Sequence, residues 1–157
     1  MAERAGRSRL TREQLRIWRG FIETSNELRG RLAARLQSES GLSDGDYQVL
    51  LALSEAEGRT LRSAELAALI GWERSRLSHH LGRMERRGLV ARDAAEDPRG
   101  VDVRITPQGA EAFRAGSVPH FRAVRELFVD ALTPDQLAQV AELTEALRRQ
   151  WDGLAAE

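Results

Sequence analysis

The chain has 157 residues, 41% hydrophobic and 31% charged, with no cysteine and a formal net charge of zero. That length admits one compact domain or a small domain with helical extensions. The absence of thiols excludes disulfides, thiolate metal sites and thiol-based redox sensing, and no run of about 18 apolar residues exists to span a membrane.

The first residues, MAERAGRSRLTREQ, are charged and carry no apolar stretch of a secretory signal, so the expected location is cytoplasmic. Thr11-Arg-Glu-Gln14 has the form of a capping box. Leu15, Trp18, Phe21, Ile22, Leu28, Leu32 and Leu36 then recur at three- and four-residue steps, which predicts a helix of about 25 residues with one apolar face. Ser40-Gly41 ends it. Ser43-Asp-Gly-Asp46 opens a second helix bearing Tyr47, Val49, Leu50 and Leu53, and Gly58 closes it.

Residues 59–62 leave room for no more than a very short strand. Ser63–Ile70 reads as a short helix with Leu66, Ala67 and Ile70 inward, followed by a turn at Gly71. The next helix runs from about Glu73 to Arg87 and is closed by Gly88, which suits a left-handed C-terminal residue. Leu89–Arg92 and Val101–Ile105 have strand character, the second with period-two alternation, and AAEDPRG between them is turn chemistry. Thr106-Pro107 and Thr133-Pro134 each place an N-cap Thr before a Pro at the first helical position. The first of these helices carries Phe113, Val118, Phe121, Val124, Leu127 and Phe128, with a kink or break expected at Pro119. The second carries Leu137, Val140, Leu143, Leu147, Trp151 and Leu154.

A short helix, a Gly turn, an arginine-rich helix and a hairpin make a winged helix-turn-helix, a device for setting one helix in the DNA major groove. With Leu77 at the origin of a helical wheel, Leu81 and Met84 define the buried stripe. Ser75, His79, Gly82, Arg83 and Arg86 fall on the opposite face, with Arg76 and Arg87 on one shoulder and Ser78 on the other. That face offers donors without aliphatic bulk, as a helix against base edges requires. Zero net charge does not oppose this, because the charge is segregated: residues 59–106 hold ten Arg and seven acids, residues 107–157 five Arg and eight acids. Local charge decides where a polyanion docks. All 24 basic residues are Arg, the side chain suited to bidentate contact with phosphate and guanine. At the hairpin tip, Arg99 in DPRG has the reach of a minor-groove contact.

The pattern ELAALIGWERSRLSHHLGRMERRGLVAR, then DPRG, then VRITPQG resembles the MarR family of winged-helix transcriptional regulators, from about Leu15 to Trp151. The resemblance implies a mainly α fold with a small β-hairpin (α+β): one chain, 1–157, with a DNA-binding lobe at 42–106 and dimerisation helices at 11–40 and 107–155. Carried over by position, Ser75, Arg76, Ser78, His79 and Arg83 face the groove, Arg99 is the wing-tip arginine and Asp97 braces the wing. Arg62, Ser63, Arg74 and Arg86 complete the candidate DNA-contacting set. The sequence departs from the family pattern at Glu73, a poorer N-cap than Ser or Asp, and at Trp72, which replaces a smaller aliphatic residue.

The implied function is a dimeric, sequence-specific DNA-binding regulator, a repressor released by a small aromatic or anionic ligand and reading a pseudo-palindromic operator as a homodimer. The residues also argue for the dimer, since the seams of the first and last helices exceed what one lobe can cover. No cofactor, metal or membrane is expected. Trp18, Phe21, Tyr47 and Trp72 read as core rather than ligand pocket, and His79, His80 and His120 as ordinary polar side chains. A winged-helix interaction module without DNA binding is the alternative, motivated by the neutral chain and by Glu73. An enzyme is disfavoured: no Cys nucleophile, Gly-rich phosphate loop or paired His-Glu metal motif is present.

Overall fold

Thr11 opens the first element in the computed structural model, which describes residues 9–94 and 100–155. Its hydroxyl accepts from the Gln14 backbone N–H at 3.1 Å, and the Gln14 side chain accepts from the Thr11 N–H at 2.8 Å. Helix α1 spans Arg12–Ser40 and stops at Gly41, whose φ of 70° is left-handed. At 29 residues it is somewhat longer than its periodicity predicts. Helix α2 (Asp44–Glu55) starts at a second capping box, between Ser43 and Asp46.

A 3₁₀ turn at Glu57–Arg59 leads into β1 (Thr60–Arg62), then α3 (Ser63–Leu69) and α4 (Arg74–Arg86). Strands β2 (Val90–Ala94) and β3 (Val101–Ile105) form the hairpin. The antiparallel sheet has the order β1-β3-β2, with Val90 opposite Ile105 and Thr60 opposite Arg104. The sequence left β1 open; three pairings to β3 make it a strand, and these are not visible in four residues taken alone.

Helix α5 (Pro107–Val124) runs into a π-helical turn at Arg125–Val129, and α6 spans Pro134–Ala155. The alternative of a break at Pro119 does not occur, since α5 stays helical through it. Pro removes one helical hydrogen bond, and the packing of α5 along α1 and α2 holds the helix across the gap.

The core lies between α2, α3, α4 and the sheet. Leu50, Leu53, Leu66, Leu77, Met84 and Val103 are fully buried there, and Leu36 of α1 reaches it. The motif spacing GLV…TPQG has a packing cause. The Thr106 hydroxyl lies 2.5 Å from the Gly88 carbonyl and its N–H donates to the Leu89 carbonyl at 3.1 Å. A Cβ on Gly109 would lie 1.9 Å from that same Leu89 oxygen. Only glycine lets the first turn of α5 press against the start of β2.

Helices α1, α5 and α6 differ from this core. Leu15, Trp18, Phe21, Ile22, Val118, Phe121, Leu143, Trp151 and Leu154 are all exposed, and no described residue of α6 is buried. Trp18 and Phe21 are therefore not core of this chain, contrary to the sequence reading.

Candidate nucleic-acid interface

Helix α4 turns one face to the core and the other outward. Leu77, Leu81 and Met84 have at most 1% of their surface exposed, whereas Arg74, Ser75, Arg76, Ser78, His79, Arg83 and Arg86 are exposed. Gly82 between them is half-buried. Glu73 has the extended backbone of an N-cap but its side chain makes no capping bond, so the first N–H groups of α4 stay free to meet an anion.

Arg62 and Ser63 approach this face from the start of α3. Together with Arg74, Gly100 and Val101 they line a concave surface of about 560 Å³ between α3, α4 and the base of the hairpin. Arg62 is held 3.3 Å from Asp102 of β3, which ties its position to the sheet. The expectations for Asp97 and Arg99 fall on residues outside those described.

Ion pairs sort the arginines. Arg92 of β2 donates through Nε and Nη2 to Glu85 Oε2, at 3.0 and 2.6 Å, and its backbone N–H reaches Oε1 at 3.3 Å. The Arg92 guanidinium holds the Glu85 carboxyl below its ordinary value. This contact clamps β2 to α4, leaving Arg92 committed. Arg76 lies over the Trp72 ring, 4.0 Å from its centroid. Arg74 and Arg86 have no acidic partner among the described residues.

Beneath the face lies a polar cluster the sequence reading missed. His80 is 8% exposed and Asp46 2%. His80 Nδ1 is 2.8 Å from Arg83 Nη2. Its Nε2 lies 3.0 Å from Asp46 Oδ1, close enough for attraction but poorly aligned for a hydrogen bond. Arg87 donates to Asp46 Oδ2 at 2.6 Å and to the Gly41 carbonyl at 3.0 Å. Burial by itself would raise the Asp46 pKa, but His80, Arg87 and the Ser43 cap together hold the carboxyl well below the usual range.

Trp72 packs edge-on against His80, with ring centroids 5.2 Å apart. A Cβ on Gly45 would lie 2.7 Å from the indole tip, so the large Trp72 is matched by a bare backbone across from it. A signal for His80 did exist: it lies 60° from Leu77 on the wheel, on the flank of the buried stripe.

A second aromatic cluster joins α2 to α5. Tyr47 packs on Phe113 and His120, with centroids 5.2 and 4.5 Å away, and its hydroxyl lies 3.3 Å from Ser117 Oγ. Burial lowers the His120 pKa, against an opposing pull from Asp44. Among the described residues, His120 Nδ1 is buried without a hydrogen-bond partner.

Residues 40–100 match the family model described as MarR family. The whole chain is similar in fold to AbsC, a MarR family transcriptional regulator from Streptomyces coelicolor, with 34% identity over 92% of this chain and 98% of that one and a TM-score of 0.83. It is equally similar to Sco3205, a MarR family transcriptional regulator from Streptomyces coelicolor solved in complex with DNA, with 35% identity, 90% of both chains covered and a TM-score of 0.83. The transcriptional regulator MOSR of M. tuberculosis, also solved in complex with DNA, is 27% identical over 83% of this chain and 94% of its own, with a TM-score of 0.64. A comparison with curated protein sequences finds no match.

Proposed function

Because the chain belongs to the MarR family of transcriptional regulators, we propose that it binds double-stranded DNA as a homodimer and represses transcription until a small aromatic or anionic ligand releases it. The observation that carries DNA binding is the two-faced α4: an apolar stripe anchored in the core and a continuous outer face of hydroxyl, imidazole and guanidinium donors. In this reading residues 42–106 form the DNA-binding lobe. Ser75, Ser78, His79, Arg83 and Arg86 meet the major groove, Arg76 stands on its shoulder, and Arg62, Ser63 and Arg74 contact phosphates. Arg99 takes the wing-tip role, with Asp97 as its brace.

Residues 11–40 and 107–155 form the dimer, their exposed Trp18, Phe21, Phe121, Trp151 and Leu154 covering one another across two copies. A symmetric dimer reads a pseudo-palindrome with half-sites about one helical turn, roughly 10 bp, apart. The Tyr47–His120–Phe113 cluster between α2 and α5 supports the ligand reading only through the His120 Nδ1, buried among these rings without a hydrogen-bond partner among the described residues.

A gel-shift titration across salt tests the DNA reading. Several neutralised phosphates give a log–log slope of binding against salt near −0.9 per contact. Substituting Arg83 with Ala is expected to cost about 1–3 kcal/mol of binding. Salt-insensitive binding together with a neutral Arg83→Ala would favour an interaction module without DNA binding.

A further inference from the structure

We propose that His80 is a positioning residue: in its neutral form it fixes Arg83 on the DNA-facing side of α4, and its protonation releases Arg83 and weakens DNA binding. The inference rests on the DNA-binding reading of α4 and assigns that face a proton-sensitive support from inside the fold.

The tautomer follows from the donors around the ring. A guanidinium only donates, so His80 Nδ1, 2.8 Å from Arg83 Nη2, has to be the unprotonated acceptor. The ring proton then sits on Nε2, facing Asp46 Oδ1 at 3.0 Å. Asp46 is in turn fixed by Arg87 at 2.6 Å and by the Ser43 backbone N–H at 2.9 Å. A buried carboxylate on α2 thus attracts the Nε2 side of an imidazole on α4, and the imidazole holds an exposed guanidinium. Arg83 keeps its remaining N–H donors for DNA.

Protonation reverses one contact only. Nδ1–H would point at Arg83 N–H, donor against donor and cation against cation, while Nε2–H would gain attraction to Asp46. The charged groups at the ring are Asp46 on α2 and Arg83 on α4, with Arg87, just past α4, on the far side of Asp46; Trp72 presents a neutral edge and carries Arg76 over its own ring. Arg83 is exposed and, among the described residues, its side chain is held by Nδ1 alone, so it is the group that moves. His79 lies on the exposed side of α4, away from this contact, and its contribution is separable by substitution.

The test uses a duplex selected by the wild-type chain from a random-sequence library, with affinity measured by fluorescence anisotropy at constant salt from about pH 8 to about pH 5.5. His79→Gln is the reference background. Affinity is expected to fall roughly tenfold towards the acid end. His80→Asn carries an acceptor oxygen in place of Nδ1 and does not titrate, so it keeps the neutral-pH affinity and flattens the profile. Arg83→Ala is weak and flat throughout. An acid loss that persists in His80→Asn or in Arg83→Ala overturns the proposal, as does a flat profile in the reference. The imidazole ¹⁵N shifts of the free protein decide the geometry without DNA: a pyridine-type Nδ1 with a pyrrole-type Nε2 is expected, and the reverse overturns it. Should the library yield no duplex, the DNA-binding reading fails, and the ¹⁵N result still decides whether His80 holds Arg83.

Discussion

Asp46 is the residue on which most of the local order around α4 converges. It caps α2, faces His80 and receives Arg87, all while 2% exposed. A buried carboxylate survives only with such partners. Its pKa is lowered on folding, so between the folded and unfolded values the unfolded chain binds more protons and stability rises with pH. The contribution is fully present above the unfolded value of about 3.9 and is lost as pH falls from there towards the folded pKa. Asp46→Asn is expected to cost about 1–3 kcal/mol at neutral pH and to flatten the acid limb, read from urea unfolding at several pH values. In the sequence Asp46 was visible as half of a capping box. Its bond to Arg87, 41 residues away, was not, because nothing local encodes that approach.

Elements show a similar division. The starts of α1, α2, α5 and α6 were legible because capping is a contact over three residues; each has the Thr or Ser the pattern requires. Helices α3 and α4 are the exceptions, with Arg62 and Glu73 making no side-chain capping bond. Glu73→Ser is expected to stabilise the fold by about 0.5–1 kcal/mol, measured by denaturant unfolding, while removing a negative charge from the start of α4. At the other end of the lobe, Gly109→Ala places a methyl group against the Leu89 carbonyl. The resulting shift of α5 from β2 is expected to cost about 3 kcal/mol or more, seen as a large drop in melting temperature. The π turn after Val124 had no local signal, since Leu127 and Phe128 continue the helical spacing. Arg35 of α1 pairs with Glu126 within it.

At the scale of the molecule the winged lobe has its own core, and the remaining helices carry an apolar surface this chain does not cover. Trp18 is 58% exposed and Trp151 59%, and monomeric proteins rarely leave large apolar patches open. If a second copy covers them, Trp18→Glu with Trp151→Glu converts the dimer to a monomer in sedimentation analysis. DNA affinity then falls by much more than tenfold, because two linked half-sites become one. A monomeric wild-type chain at micromolar concentration would overturn the homodimer.

The sequence by itself determined the order of the elements, the inward stripe of α4 and the family, because these rest on periodicity, caps and turn residues that act over a few positions. It also placed the exposed donors from Ser75 to Arg86 correctly on one face, since a helix fixes the direction of every side chain once one is buried. Only the tertiary structure decided what supports that face. His80 is buried because α2 packs beside it, Arg83 lies 2.8 Å from its Nδ1, and Trp72 fits because Gly45 lies opposite. Trp18 and Phe21 are exposed because no described element of the same chain covers them. Such outcomes depend on segments distant in sequence meeting in space, and a pattern read along the chain holds no term for that meeting.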